Sequence, residues 1–81
     1  MTIQVRLFAH ARDLAGVKVL TVEVPVAATV AELRVALALA CPILEGLLAR
    51  SRVAVGNDFA DDETKLTTGI SVAVIPPVSG G

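Results

Sequence analysis

Aromatic residues are nearly absent from this sequence, and their scarcity excludes one class of binding site. Phe8 and Phe59 are the two aromatic side chains, and the chain has no Trp or Tyr. Proteins that bind single-stranded nucleic acid stack bases on aromatic rings. Basic residues are not in excess either, because 7 Lys and Arg residues stand against 8 Asp and Glu residues. The sequence therefore predicts no nucleic-acid partner.

Cysteine and long apolar segments are also scarce. Cys41 is the single cysteine, so the chain cannot form an intrachain disulfide. The longest apolar run, residues 35–44, is about half of the ~20 residues that span a bilayer. The first residues alternate like a strand and do not resemble a signal peptide. We expect a cytoplasmic protein with no membrane partner.

The sequence is rich in aliphatic side chains. Its 81 residues are 54% hydrophobic, with Val, Ala and Leu prominent. Such a chain can offset the entropy of folding, which excludes intrinsic disorder. Its length fits one domain, and so small a domain needs a continuous apolar core.

Strict alternation predicts the first strand, in which Ile3, Val5 and Leu7 face the core. Gly16 then marks a loop. A second strand is expected over residues 20–24, with a loop or bulge ending near Val19 because the alternation slips there.

A capping box predicts the start of the main helix. The Thr29 side chain can accept a hydrogen bond from the amide of Glu32, and the Glu32 side chain can reach back. Apolar residues then recur at helical spacing, at Val30, Leu33, Leu37 and Cys41. Pro42 is expected to end this helix or to begin a short one over residues 43–48.

Three further strands are predicted in the second half of the chain. Residues 52–55 and 58–60 flank Gly56-Asn57, a two-residue hairpin signal. Residues 70–75 form the last strand. The predicted order is β-β-α-β-β-β, an α+β fold in which one main helix covers one face of a mixed sheet. The first and last strands are candidates for its centre.

The last six residues read Pro-Pro-Val-Ser-Gly-Gly. Pro76 and Pro77 cannot donate to a strand ladder, so they end the sheet and stiffen the segment that follows. Gly80 and Gly81 have no Cβ, so this tip could enter a narrow channel and present its carboxylate. Because chain ends are often frayed, Gly-Gly alone is weak evidence of function.

Three segments together resemble one family. They are residues 76–81, residues 7–16 (Leu-Phe-Ala-His-Ala-Arg-Asp-Leu-Ala-Gly) and residues 29–33 (Thr-Val-Ala-Glu-Leu). The chain resembles the small subunit of molybdopterin synthase, a ubiquitin-like sulfur carrier with a β-grasp fold. That resemblance implies a β-grasp domain over residues 1–75 and an extended, flexible tail over residues 76–81. Gly56-Asn57 departs from the Asn-Gly more usual in the family, which implies a different turn type and no loss of function.

The resemblance also implies a mechanism. A ubiquitin-activating-like enzyme adenylates Gly81, a sulfur donor protein converts it to a thiocarboxylate, and the tail enters the large synthase subunit. Pro76, Pro77, Val78, Ser79 and Gly80 form the inserted segment, and the sulfur passes to a pterin precursor. On this reading the chain binds no cofactor tightly. The acyl-adenylate and thiocarboxylate are transient, and the chain has no complete active site of its own.

The resemblance places Phe8, Phe59 and Ile75 on one partner-binding patch. Strand parity points Phe8 to the polar face, although the strand could end at Leu7 and let Phe8 fold into the core. Arg12 is expected in a loop, where it either pairs with a partner carboxylate or is simply solvated.

Other reactive residues have simpler explanations. His10 has no second ligand or catalytic partner in the sequence, so no metal or catalytic role is expected. Cys41 could carry sulfur as a persulfide, but its place on the apolar stripe favours a buried, inert thiol. The carboxylates Asp58, Asp61, Asp62 and Glu63 lack regular cation-ligand spacing and predict a solvated turn or a steering surface.

Three other functions stay open. The chain could be a ubiquitin-like modifier joined to lysines, a sulfur carrier for thiamine or another sulfur metabolite, or a plain interaction domain. Adenylation of the tail begins the first two as well, so the tail does not separate them. Nor does the sequence distinguish molybdenum from tungsten as the final metal.

Overall fold

The computed structural model describes residues 1–77. Val78, Ser79, Gly80 and Gly81, which the sequence assigns to the tail, lie outside the described residues. The elements, in chain order, are β1 (Thr2–Leu7), α1 (Ala9–Ala15), β2 (Val19–Glu23), α2 (Val30–Ala40), a 3₁₀ turn (Pro42–Leu44), α3 (Glu45–Arg50), β3 (Arg52–Val55), β4 (Asp58–Ala60) and β5 (Val72–Ile75).

The strands of residues 1–77 form one mixed sheet in the order β2-β1-β5-β3-β4. β1 and β5 run parallel, with Leu7 opposite Val74, while the other neighbouring pairs are antiparallel. The prediction that the first and last strands lie at the centre is confirmed. This order, with α2 packed on one face, is the predicted α+β β-grasp arrangement.

The predicted capping box starts α2. The Thr29 hydroxyl accepts from the Glu32 amide at 3.3 Å, and a Glu32 carboxylate oxygen accepts from the Thr29 amide at 3.1 Å. This orientation buries the apolar stripe of α2 against the sheet. The core consists of aliphatic side chains from every layer, including Ile3, Val5, Leu7, Val22, Val30, Leu33, Leu37, Leu44, Leu48, Val53, Leu66, Val72 and Val74.

The β3–β4 hairpin closes as predicted through Gly56 and Asn57. Val55 pairs with Asp58, so the loop contains just those two residues. Gly56 has a φ of 65°, whereas Asn57 is not among the residues with positive φ. A positive φ at the first loop position alone is the pattern of a type II′ turn, which Gly favours there.

The expected loop after the first strand contains a short helix, because residues 9–15 form α1, while α2 remains the main helix. Gly16 ends α1 in the left-handed region, with φ 75°, and its amide donates to the Arg12 carbonyl at 2.9 Å. A seven-residue helix has little stability alone, so it depends on packing. Ala11, which is fully buried, supplies that contact.

Two predicted strand boundaries also shift. β2 begins at Val19, which pairs with Arg6, so no loop or bulge separates Val19 from the strand. β5 begins at Val72 rather than Ile70, because a turn closed by the Ile70 amide and the Thr67 carbonyl precedes it. α2 ends before Pro42, and the short helix expected over residues 43–48 is found as the 3₁₀ turn followed by α3, which extends to Arg50.

A search of residues 1–77 finds no helix with the length and apolar character needed to span a bilayer.

Two leucines of α2 provide a matched test of this core. Leu37 is fully buried, whereas Leu39 is 77% exposed on the same helix. We expect Leu37→Ala to lower the free energy of unfolding by about 2–5 kcal/mol, because it leaves a cavity. Leu39→Ala should change it by less than about 0.5 kcal/mol. Urea denaturation followed by circular dichroism measures both, and equal losses would contradict this packing of α2.

Candidate interaction site on the outer sheet face

The sheet has one face covered by α2 and one face that the described chain leaves open. Strand register defines a row of residues across the open face. Arg6 lies opposite both Val19 and Ala73, and Ala54 lies opposite both Ala73 and Phe59. Val19 is 45% exposed and Phe59 is 52% exposed. This row therefore presents apolar side chains to solvent.

A second row lies at the end of the sheet where β5 stops. Ile75 pairs with Arg52, and Phe8 and Ile75 each follow a residue of the parallel Leu7–Val74 pair. Phe8 is 37% exposed, so it does not fold into the core. Ile75 is half-buried. We call these two rows the outer sheet face, whose main residues are Arg6, Phe8, Val19, Arg52, Phe59 and Ile75.

Two arginines on this face stack on the two aromatic rings. The Arg52 guanidinium carbon lies 3.7 Å from the centre of the Phe59 ring, and that of Arg6 lies 5.2 Å from the centre of the Phe8 ring. Such contacts stabilise a cation over an aromatic face. The predicted positions Phe8, Phe59 and Ile75 thus share one face, but arginines lie among them. The surface is basic as well as apolar.

The sequence did not lead us to assign either arginine to the site, although strand parity predicts the orientation of one of them. Arg6 alternates with the buried Val5 and Leu7 of β1, so its outward orientation follows from parity. Arg52 opens β3, and its contact with Phe59 depends on the β3–β4 register. No property of a single segment predicts that contact.

Arg12 lies on α1 and not in the predicted loop, because residues 9–15 are helical. Together with Arg6, Lys18, Phe8, Leu7 and Val19 it lines a cavity of about 270 Å³ beside the end of β1. The lining residues include three cations and no carboxylate. This corner of the outer sheet face is therefore suited to receive an acidic group.

The chain leaves the sheet at this same end. β5 stops at Ile75, Pro76 is buried and Pro77 is exposed. The side chain of Pro76 therefore belongs to the packed domain. Because β5 is the central strand, the chain leaves it at Ile75, beside Phe8 and Arg52.

Cys41 and His10 lie away from this face. Cys41 follows α2 and is half-buried against the core, so the prediction of a buried thiol is only partly met. His10 is exposed on α1. Among the described residues, neither Cys41 nor His10 forms a hydrogen bond or ion pair with a side chain that could activate it.

The acidic turn after β4 is an ordered structural element. One Asp61 carboxylate oxygen accepts from the Glu63 amide and the Thr64 hydroxyl, both at 3.1 Å. Asp62 binds the Arg34 guanidinium at 2.9 Å, and Arg34 also donates to the Leu48 carbonyl. No group of three His, Cys, Asp or Glu residues with metal-binding geometry occurs in residues 1–77.

Comparison with known proteins shows a full-length relationship. The ThiS family model matches residues 5–81. The molybdopterin synthase sulfur carrier subunit of Arabidopsis thaliana is 35% identical over 98% of this chain and 82% of its own length. The protein of the same name from Chlamydomonas reinhardtii is 34% identical over the whole of both chains.

A solved structure extends the comparison to three dimensions. SAMP1 from Haloferax volcanii, a small archaeal modifier protein, is similar with a TM-score of 0.89 and 30% identity over all of both chains. The resemblance to the small subunit of molybdopterin synthase is confirmed by these relatives. Because the family model covers residues 5–81 and these relatives match nearly the whole chain, the chain belongs to the ThiS family.

Proposed function

We propose that this chain is the sulfur carrier subunit of a molybdopterin synthase and that the C-terminal carboxylate of Gly81 carries the sulfur. The observation that carries the proposal is the position of β5. This central strand leads into the Pro-Pro-Val-Ser-Gly-Gly segment at the edge of the outer sheet face. A partner that binds this face would receive the segment that starts beside it.

The proposed chemistry starts from the Gly81 carboxylate, which is a weak electrophile. A partner enzyme catalyses attack of the Gly81 carboxylate on the α-phosphorus of ATP. Pyrophosphate leaves, and the product is an acyl-adenylate. Hydrosulfide supplied by a donor protein then attacks the acyl carbon and displaces AMP. The product is a thiocarboxylate in which one sulfur replaces one oxygen. The adenylate is needed because AMP is a far better leaving group than oxide.

Val78, Ser79, Gly80 and Gly81 are the proposed segment that enters the partner active sites. The two glycines give it a minimal cross-section, since neither has a Cβ. Pro77 is exposed and leads toward it, while the buried Pro76 holds its base. The chain thus supplies a carrier end on a stable base, and the partner supplies the catalytic groups.

The outer sheet face is the proposed docking surface. Phe8, Phe59 and Ile75 provide apolar area, while Arg6 and Arg52 suit a partner with acidic groups around an apolar centre. The relatives are named as a subunit of molybdopterin synthase, so the other, larger subunit is the proposed partner. The adenylating enzyme is proposed to use the same face, because it must reach the same tail.

Protein modification is the second candidate. The similarity to SAMP1, a protein named as a modifier, favours it. Both functions begin with an acyl-adenylate on Gly81, and they differ in the nucleophile that displaces AMP. A sulfur nucleophile gives a thiocarboxylate, whereas a lysine amine gives an isopeptide bond to another protein.

The first prediction from the proposed function concerns the mass of the chain after incubation with its adenylating enzyme, ATP and a sulfur source. We expect an increase equal to the mass difference between one sulfur and one oxygen atom, measured by intact-protein mass spectrometry. Deletion of Gly81 should abolish the increase. Cys41→Ala should retain it, because the half-buried Cys41 thiol has no part in the proposed chemistry.

The controls separate the alternatives. A mass increase that disappears in Cys41→Ala and persists without Gly81 would place the sulfur on the thiol and contradict the proposal. Higher-mass conjugates that depend on Gly81, with no thiocarboxylate, would support the modifier instead.

The second prediction tests the docking surface with two substitutions of similar exposure. Phe59, 52% exposed, lies on the outer sheet face, and Val35, 60% exposed, lies on α2 on the opposite side. We expect Phe59→Asp to weaken binding of the large subunit at least about 30-fold, as for an aromatic interface anchor. Val35→Asp should not weaken it. Isothermal titration calorimetry measures both, after circular dichroism has shown that both variants fold. Equal weakening would contradict this assignment of the face.

A further inference from the structure

The helical side of the domain carries a second exposed apolar surface. Val35 and Leu39, one turn apart on α2, are 60% and 77% exposed. A groove lies on each side of this part of α2, and both side chains line both grooves. Val35 and Leu39 therefore form a ridge between the grooves, here called the helix stripe. The larger groove, about 410 Å³, continues over Ala38 and Leu48 toward α3. So much exposed apolar surface on a small domain indicates an interaction site.

The border of the helix stripe is acidic. The carboxylates that line its two grooves are Glu23, Glu32, Glu45 and Asp62, and the single cation that lines them is Arg34. Arg34 is already bound to Asp62 at 2.9 Å. Glu23 lies 4.0 Å from the Met1 amino group. The net charge around the stripe is therefore negative.

The outer sheet face has the complementary character. Its exposed apolar groups, Phe8, Val19 and Phe59, lie among Arg6 and Arg52, and the adjoining cavity adds two further cations. The two surfaces lie on opposite sides of the same domain, since α2 covers the inner face of the sheet. One copy cannot bring them together, but two copies can.

We propose that the helix stripe of one copy packs on the outer sheet face of a second copy, so that the free carrier associates head to tail. A helix packed on an open sheet is an ordinary layer arrangement, and here it would place α2 between two sheets. Carboxylates of one copy then approach arginines of the next. Because two different surfaces meet, the contact is heterologous and can extend to further copies.

The association is weak and reversible. Each surface covers one side of an 81-residue domain, which places the contact in the class of small interfaces. Opposite charges around its rim are screened by salt, since the Debye length is about 10 Å at 0.1 M. A protein that binds the outer sheet face competes with it, so partner binding releases single copies.

The test uses one variant on each surface. Leu39→Lys places a cation on the helix stripe, where it faces the basic sheet of the next copy. Phe59→Asp places a carboxylate on the outer sheet face, where it faces the acidic stripe. Both positions are exposed, and thermal unfolding checks that both variants fold. Sedimentation velocity is measured from about 10 μM to about 1 mM, the range in which small interfaces associate.

We expect the average mass of the unaltered protein to rise with concentration at low salt and to fall when salt is added. Each variant alone should be monomeric. An equimolar mixture should form heterodimers that grow no further, because the intact sheet face of Leu39→Lys fits the intact stripe of Phe59→Asp. That rescue on mixing is specific to a heterologous contact.

Three outcomes would overturn the proposal. The unaltered protein could be monomeric throughout the concentration range. Phe59→Asp alone could still associate, which would show a contact of stripe with stripe. The mixture could also remain monomeric while the unaltered protein associates, which would show that neither surface pairs with the other.

Discussion

The parallel pairing of β1 with β5 is the constraint on which the rest of the structure depends. Parallel neighbours cannot be joined by a hairpin, so the chain between them must cross over the sheet. α2 makes that crossing and buries Leu33 and Leu37 on one face, while the described chain leaves the other face open. The same pairing sets Phe8 beside Ile75 and sends the chain out of the sheet next to both. The core, the open face and the base of the C-terminal segment thus follow from one strand pair.

Local patterns predicted those parts of the fold that local interactions determine. The alternation of Ile3, Val5 and Leu7, the Thr29–Glu32 capping box and the Gly56-Asn57 hairpin all form as the sequence indicates. α1 escaped prediction because residues 9–15 are too few to show a helical period, and packing of Ala11 stabilises them. The function proposed for the tail came from the resemblance to a family, because no periodicity could reveal it.

The composition of the outer sheet face could be predicted only in part, because it depends on contacts between distant segments. Phe8 and Phe59 were expected to be exposed, but the stacking of Arg52 on Phe59 requires the β3–β4 register. That stacking has a physical consequence. An aromatic ring covered by a guanidinium exposes less apolar surface to water and keeps charge at the same position. The face can therefore stay exposed on a single copy and still offer an apolar surface to a partner whose acidic groups draw the arginines aside.

The charge of the domain is divided between its two sides, and this division has more influence on association than the net value does. A formal net charge of −1 suggests a nearly neutral surface. Four carboxylates nevertheless line the grooves beside α2, those of Glu23, Glu32, Glu45 and Asp62. Four cations lie around the end of the sheet from which the tail departs, those of Arg6, Arg12, Lys18 and Arg52. A partner with an acidic border is attracted to that end and repelled from the helical side. Electrostatic attraction of this kind mainly affects the rate and orientation of encounter. It therefore directs the base of the Gly-Gly segment, rather than the helices, toward an acidic binding surface before any apolar contact forms.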